Sequence, residues 1–190
     1  MLNVKIIIAS TRPGRKGPAL ASWIFEAAKK QKEFTVEVLD LAEINLPFLD
    51  EPNLPRFQKY EKEHTKAWSK IIDAADAFII VTPEYNYSFP ATLKNAFDFL
   101  YHEWTYKPIA FVTYGGLAAG TRALQLLKPV VTALKLVPLV ESVNISFFTK
   151  HIDEHGKFNA NEEMEQSADA MLKELLFWGN GLKTMRVAKK

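Results

Sequence analysis

The sequence predicts an α/β protein with a doubly wound parallel sheet of five strands, and two patterns carry this prediction. Apolar strand-like runs alternate with amphipathic helical stretches five times along the chain. Parallel strands need crossover connections, which helices usually supply, so this alternation indicates a sheet with helices on both faces. The first, third and fourth runs are apolar almost throughout, as expected of strands that are buried on both sides.

Each element can be placed from its own pattern. The second strand alternates apolar and polar residues, which is typical of a position near a sheet edge. Pro129 is expected to kink or shorten the helix that contains it. Residues 42–56 hold three prolines and form a long irregular connection, either a lid or interface segment or a plain surface loop. We expect strands at residues 2–9, 35–39, 77–81, 108–112 and 139–145, and helices at residues 17–32, 57–74, 91–102, 118–134 and 160–178.

Length and composition indicate one globular domain. The chain has 190 residues, of which 48% are hydrophobic and 24% are charged, as is ordinary for a domain with a sizeable core. Cysteine is absent, so neither a disulfide framework nor a thiolate metal site is possible. No apolar run approaches the length of a membrane span, and the first residues lack the pattern of a secretory signal. We therefore expect a cytoplasmic protein that does not enter a membrane.

The excess positive charge lies at the C-terminal end. The formal net charge is +2, while residues 183–190 carry four cations and no acid, which leaves 2 − 4 = −2 for the rest of the chain. We expect a single domain over residues 1–182, followed by a solvated basic tail at residues 183–190. A body that is not basic argues against a nucleic-acid partner.

The loops that carry the chemistry are expected at one edge of the sheet. Five β/α units of this kind fit the strand order 2-1-3-4-5, in which strands 1, 3 and 4 are neighbours. Ligands of such sheets bind beyond the carboxyl ends of the strands, where the direction of winding reverses. The loops that follow strands 1, 3 and 4 should therefore line one crevice.

The first of these loops, residues 10–17, has the composition of an anion site. It offers two hydroxyls, two glycines and three cations, and it leads into the N-terminus of a helix. The first N–H groups of a helix lack partners and favour an anion, and arginine adds charge-assisted hydrogen bonds. The glycine spacing matches neither a P-loop nor a dinucleotide fingerprint. A monophosphate site is one interpretation; a basic loop that only caps the helix is the other.

The other two loops offer flat surface and close approach. Residues 82–90 contain three aromatic side chains and two prolines, which suits either a planar heterocycle or, alternatively, a tight turn or subunit contact. Gly115 and Gly116 follow the fourth strand, where glycine permits positive φ and lets a ligand approach the backbone. The third loop is weak evidence alone, but beside the other two it provides room for a ring.

Together these loops resemble a known family. The motifs are Ser10-x-Arg12-x-x-Arg15, Pro83-Glu84-Tyr85-Asn86, Ser88-x-Pro90-x-x-Leu93-Lys94-Asn95-Ala96-x-Asp98 and Tyr114-Gly115-Gly116. In this order and spacing they resemble the NADPH-dependent FMN reductases. The stretch 100–108 is most similar to the quinone-reductase branch of that family. The departures are small: Ala9 stands where a glycine is common, and Pro129 lies inside a helix.

The resemblance implies a fold, two cofactors and a set of binding residues. The fold is a flavodoxin-like three-layer α/β sandwich with strand order 2-1-3-4-5, and the cofactors are FMN and NADPH. The flavin supplies the chemistry, so no catalytic side chain is expected. Arg15 and Lys16 are candidates to bind the NADPH 2′-phosphate. The implied contacts are to the FMN phosphate from Ser10, Arg12, Arg15 and the backbone at Gly17, Pro18, Ala19 and Leu20; to the isoalloxazine edge from Pro83, Glu84, Tyr85 and Asn86; and to its pyrimidine end from Thr113, Tyr114, Gly115 and Gly116.

The expected activity is hydride transfer from NADPH to bound FMN and then to a quinone, a free flavin or another small oxidant, by a ping-pong mechanism. Alternatives are a flavodoxin-like electron carrier and an FMN-binding sensor without NADPH turnover. A homodimer or homotetramer is expected through the helix at residues 91–102, because Phe99 lies off its core stripe and indicates a second buried face.

One further pattern is discounted. His151 and His155 have the i, i+4 spacing of metal ligands, but Gly156 follows at once and indicates a turn. We expect no metal site there.

Overall fold

A computed structural model describes residues 1–188, and its sheet has the expected order. The five strands are all parallel and are arranged β2-β1-β3-β4-β5. The strands are β1 (Leu2–Ile8), β2 (Phe34–Asp40), β3 (Ala77–Pro83), β4 (Pro108–Tyr114) and β5 (Val137–Ile145). The helices are α1 (Gly17–Lys29), α2 (Leu41–Ile44), α3 (Glu63–Asp73), α4 (Ala91–Asp98), α5 (Thr121–Ala133) and α6 (Glu162–Ala188).

The core consists of two layers, one on each face of the sheet. On one face α1 and α6 pack against alternate residues of the central strands, and on the other face α3, α4 and α5 do so. Every residue of β3 and β4 is buried, which explains why their sequences are apolar throughout. The flavodoxin-like three-layer sandwich predicted from the sequence is confirmed.

The connection between β2 and α3 is longer than expected. The helix predicted at residues 57–74 begins only at Glu63, and a short 3-10 helix at Pro55–Phe57 precedes it. Glu51 explains the later start, because its carboxylate accepts from the backbone N–H groups of Glu61 and Lys62, at 2.9 Å each. This side chain satisfies N–H groups that the chain would otherwise have to bond within a helix.

The helix predicted at residues 91–102 ends at Asp98, and a 3-10 helix at His102–Trp104 follows. Phe99 is buried, as the sequence predicted, but its own chain covers it. Its ring packs perpendicular to the His64 ring, so it provides no face for a partner.

The last helix is longer than predicted, and it includes most of the expected tail. The sequence predicted that this helix ends at residue 178, yet α6 continues through glycines at 179 and 181 to Ala188. Gly179 lies against Leu2, where a Cβ would come within 2.4 Å of the leucine Cδ1, so glycine here permits close packing rather than a turn. Lys183 and Arg186 are not free side chains of a tail, because both bind Asp76. The expected tail therefore belongs to the fold as far as residue 188; Lys189 and Lys190 lie outside the described residues.

Three smaller expectations can be compared with the structure. Pro129 lies inside α5 without shortening it. Gly156 has a φ of +79°, and Asp153 accepts from the N–H groups of His155 and Lys157, so this segment is a turn as predicted. No helix within residues 1–188 is both long and apolar enough to cross a membrane. The cytoplasmic location stays a prediction.

Candidate functional site

The loops after β1, β3 and β4 meet at the carboxyl edge of the sheet, as expected. The Tyr114 hydroxyl donates to Ser10 Oγ at 3.2 Å, which joins the first and third loops. The Glu84 N–H donates to the Tyr114 carbonyl at 3.1 Å, which joins the second and third. The Arg12 guanidinium lies 6.0 Å from the centre of the Tyr85 ring, so the first and second loops face each other.

Arg15 does not take the position that the sequence indicated. Its guanidinium donates two hydrogen bonds to Asp40, each of 2.6 Å, and a third of 2.9 Å to the Ser10 carbonyl. The hydrogen bonds to Asp40 raise the pKa of Arg15 above its usual value. These contacts fix the first loop to the end of β2. Nη1 donates to both Ser10 and Asp40, and Nη2 donates to Asp40. Arg15 therefore shapes the loop, and in this structure its fork is not directed at an incoming phosphate.

Ser10 is also placed differently from the expectation. Its side chain is fully buried, beneath Gly17 at the start of α1. A Cβ on Gly17 would lie 2.6 Å from Ser10 Oγ and 3.1 Å from the Tyr114 hydroxyl, so only glycine lets the helix approach this pair. Burial raises the pKa of Tyr114 to about 12, which keeps the phenol protonated as the donor to Ser10. The hydrogen-bonded side chains of Ser10 and Tyr114 therefore pack beneath the first loop and support it.

Two cations of the first loop remain free for an anion. Arg12 and Lys16 are exposed, and neither makes an ion pair with any residue in the described range 1–188. Lys16 is the N-cap of α1 and has no side-chain capping bond. Pro18 has no N–H, and the Ala19 N–H donates to the Lys16 carbonyl at 3.1 Å, so the backbone contribution of this turn is smaller than expected. Leu20 is fully buried in the core.

The second loop is a tight turn as well as a flat surface. Tyr85 and Ser88 exchange backbone hydrogen bonds of 2.7 and 2.9 Å. The two residues between them, Asn86 and Tyr87, have φ values of +48° and +70°, which is the pattern of a type I′ turn. Asparagine tolerates this region, whereas tyrosine is strained there. The turn that was weighed as an alternative is present, and it lies beside the crevice.

Glu84 contributes its side chain as well as its N–H. The carboxylate is nearly buried, with 10% of the side chain exposed, and it lies 2.8 Å from Nε of Arg122. It also accepts from the Arg122 backbone N–H at 3.2 Å, in the first turn of α5. Pro83 ends β3 and is buried. Glu84 therefore fixes the second loop to α5.

The third loop contributes space through Gly116 rather than Gly115. A Cβ on Gly116 would meet no atom within 4 Å, whereas one on Gly115 would lie 3.1 Å from the Gly120 backbone nitrogen. Neither glycine has a positive φ, so the conformational reason for glycine applies at Gly120 instead, with φ +81°. The buried Thr113 hydroxyl donates to the Ala119 carbonyl at 2.9 Å and closes the loop on itself.

Two residues of the site were missed in the sequence. Asp40 ends β2 next to the basic loop, and its position at the carboxyl end of a strand was the available signal. Arg122 lies in the first turn of a helix, where a cation opposes the dipole, and that misfit was a signal that it has a special partner.

The arrangement offers the elements of a site for an anion that is joined to a flat ring. Two unpaired cations, Arg12 and Lys16, lie in the loop before α1, the Tyr85 ring lies near Arg12, and no atom would meet a Cβ on Gly116 within 4 Å. In a doubly wound sheet this is the crevice at the reversal of winding. The fold and the crevice together define the class as a flavodoxin-like protein with an anion-ready ligand site.

Comparisons with known proteins identify the family within this class. The model of the NADPH-dependent FMN reductase family matches residues 2–150, so the chain belongs to that family. It is 45% identical over 126 residues to an NAD(P)H-dependent FMN reductase of Schizosaccharomyces pombe, covering 65% of this chain and 63% of that protein. It is 34% identical over 95 residues to a 2-hydroxy-1,4-benzoquinone reductase of Burkholderia sp., covering 48% and 49%.

The fold is likewise similar to that of a solved flavoenzyme. The structure of FerB, an NAD(P)H:(acceptor) oxidoreductase from Paracoccus denitrificans, matches with a TM-score of 0.69 over 97% of this chain and 98% of that one, at 20% identity. At this identity the likeness shows the fold alone.

Proposed function

We propose that the protein is an FMN-dependent oxidoreductase that accepts hydride from NADPH and delivers electrons to a small oxidant such as a quinone or a free flavin. The observation that carries the proposal is that Arg12 and Lys16, in the loop before α1, have no ion-pair partner within residues 1–188, while the loops after β1, β3 and β4 are joined at the same edge of the sheet. Membership of the family supports both cofactors.

Different residues of the three loops would bind the phosphate, hold the loop in place and contact the ring. Arg12 and Lys16 offer charge-assisted hydrogen bonds to the single phosphate of FMN. Arg15 and Asp40 hold the loop that carries them, so that little ordering is needed when the ligand binds. The second and third loops supply an aromatic wall and an open floor. Bound FMN supplies the redox chemistry of the site.

Anaerobic addition of NADPH to the FMN-loaded protein tests the proposal. We expect the visible absorbance of oxidised flavin to bleach and to return when a quinone is added. A protein that binds FMN but is not bleached by NADPH would instead be an electron carrier or a sensor.

The two substrates are expected to react in turn. The three loops meet the ligand from one side, which favours a single open face that NADPH and the acceptor share. Initial rates over a matrix of NADPH and quinone concentrations should give parallel double-reciprocal lines. Intersecting lines would mean that both substrates bind together, and the shared face would have to be abandoned.

The protein is also proposed to form a homodimer or a homotetramer. Because Phe99 is buried in its own chain, the candidate interface moves to the long connection before α3. That segment is anchored by Asn95, which donates to the Pro47 carbonyl and accepts from the Leu49 N–H, at 2.7 and 3.0 Å. It nevertheless exposes four large apolar side chains, which is unusual for a held loop. These are Phe48, Leu49, Leu54 and Phe57.

Light scattering at micromolar concentration tests the assembly. We expect at least twice the monomer mass, and the double variant Phe48→Asp/Phe57→Asp should be smaller. A wild-type protein of monomeric mass would exclude the dimer.

A further inference from the structure

A shallow groove lies next to the candidate flavin site and shares Tyr87 of the second loop and Arg122 with it. Its volume is about 330 Å³, and it lies between the turn of the second loop and the first two turns of α5. Tyr87 and Leu126 give it apolar surface, with 67% and 48% of each residue exposed. The remaining lining residues are Thr121, Arg122 and Gln125.

Arg122 is held at this groove by stacking and by its ion pair, and its terminal nitrogens take no part in the ion-pair contact. The guanidinium carbon lies 3.9 Å from the centre of the Tyr87 ring, and Nε lies 2.8 Å from Oε1 of Glu84. The Nε contact lacks hydrogen-bond geometry and is electrostatic only. The two terminal nitrogens make no hydrogen bond to residues 1–188, and 40% of the side chain is exposed. Stacking on Tyr87 and the ion pair with Glu84 therefore hold Arg122 in place, while its two terminal nitrogens remain available as hydrogen-bond donors.

Tyr87 has a strained backbone conformation that glycine would adopt without strain. Its φ of +70° lies in the left-handed region, and the second central position of a type I′ turn usually carries glycine. Strain of this kind in a native loop is a reason to look for a function of the side chain. One face of the ring stacks on Arg122, and the residue remains largely exposed.

We propose that Tyr87 and Arg122 form a subsite for adenosine 2′-phosphate, which binds the NADPH adenosine and disfavours NADH. The planar guanidinium matches two phosphate oxygens, while the tyrosine ring and Leu126 offer flat apolar surface for adenine. The subsite rests on the proposed function, because it serves the NADPH used there. It gives the 2′-phosphate a different partner from Arg15, whose fork is bound to Asp40, and from Lys16, which faces the start of α1.

Calorimetric titration of the FMN-loaded protein tests the subsite without turnover. The probes are adenosine 2′,5′-bisphosphate and adenosine 5′-monophosphate. We expect the wild type to prefer the bisphosphate by about 5- to 20-fold, near or below the lower end for a charge-assisted contact, since Glu84 already offsets part of the Arg122 charge. Arg122→Gln should abolish the preference, and the double variant Glu84→Gln/Arg122→Gln should do the same without leaving a buried carboxylate unpaired.

Tyr87→Gly separates stacking from charge. Glycine suits the positive φ, so the variant should be at least as stable as the wild type. It should weaken both nucleotides by a similar factor. A wild type that binds neither nucleotide, or that prefers neither, would overturn the subsite. So would a preference that survives in Arg122→Gln but disappears in Lys16→Ala. None of these outcomes depends on whether NADPH bleaches the flavin, so failure of the proposed function is seen separately.

Discussion

Both ends of the sheet carry ion pairs, but at the carboxyl end two cations of the loop before α1 are left without an ion-pair partner within residues 1–188. At the amino end Asp76 accepts from Lys183 and Arg186 at 2.7 and 2.8 Å, and the buried ammonium of Lys107 donates to two carbonyls at the end of α3. At the carboxyl end Arg12 and Lys16 have no ion-pair partner within residues 1–188. Paired charge stabilises the fold at the amino end, whereas the unpaired Arg12 and Lys16 are the cations that the proposed phosphate site would use.

The largest effect on stability is expected when the ion pairs of Asp76 at the amino end of the sheet are removed. Asp76→Ala would leave Lys183 and the half-buried Arg186 without their acid, and it should lower the free energy of unfolding by about 3 kcal/mol, measured by urea denaturation. Asp169→Ala is the control, since its exposed pair with Lys173 should cost under about 0.5 kcal/mol. FMN affinity should not change in either variant. A matching loss of FMN affinity in Asp76→Ala would mean that the two ends are coupled.

A side chain added at Gly116 should weaken FMN binding without changing the stability of the fold. Gly116→Val places a side chain in open space, so we expect FMN affinity to fall at least about 10-fold with an unchanged melting temperature. Gly115→Val is the matched variant: its Cβ would press on the Gly120 backbone, so it should destabilise the fold by about 1–3 kcal/mol. Normal FMN binding by Gly116→Val would remove the third loop from the site.

A smaller effect should appear in the pH dependence of stability. Burial lowers the pKa of Lys107 to about 8, from 10.5 for a free lysine. Between these values the unfolded chain binds the extra proton, so the free energy of unfolding should rise with pH, with a slope approaching about 1.4 kcal/mol per unit. Lys107→Met should lose this slope when the two proteins are compared by urea denaturation from pH 7.5 to 10.5. Equal slopes would show that Lys107 is not the titrating group.

The sheet and the position of the crevice could be predicted because they depend on local patterns. Apolar runs mark β3 and β4, and parallel order brings their loops together. Contacts between distant residues could not be predicted in the same way. Arg15 and Asp40 are 25 residues apart, and nothing in the basic loop shows that one of its cations is already paired. The continuation of α6 past residue 178 depends on a contact of the same kind, because only the fold shows that Gly179 packs on Leu2.

The binding of FMN and riboflavin to Arg12→Ala tests most directly whether unpaired charge defines the site. The two ligands differ in the phosphate, so loss of one charge-assisted contact should weaken FMN by about 10- to 100-fold and leave riboflavin nearly unchanged. Lys32→Ala, which removes an exposed cation at the amino end, should change neither affinity. Equal losses for both ligands in Arg12→Ala, or no loss for FMN, would contradict the assignment of the phosphate site.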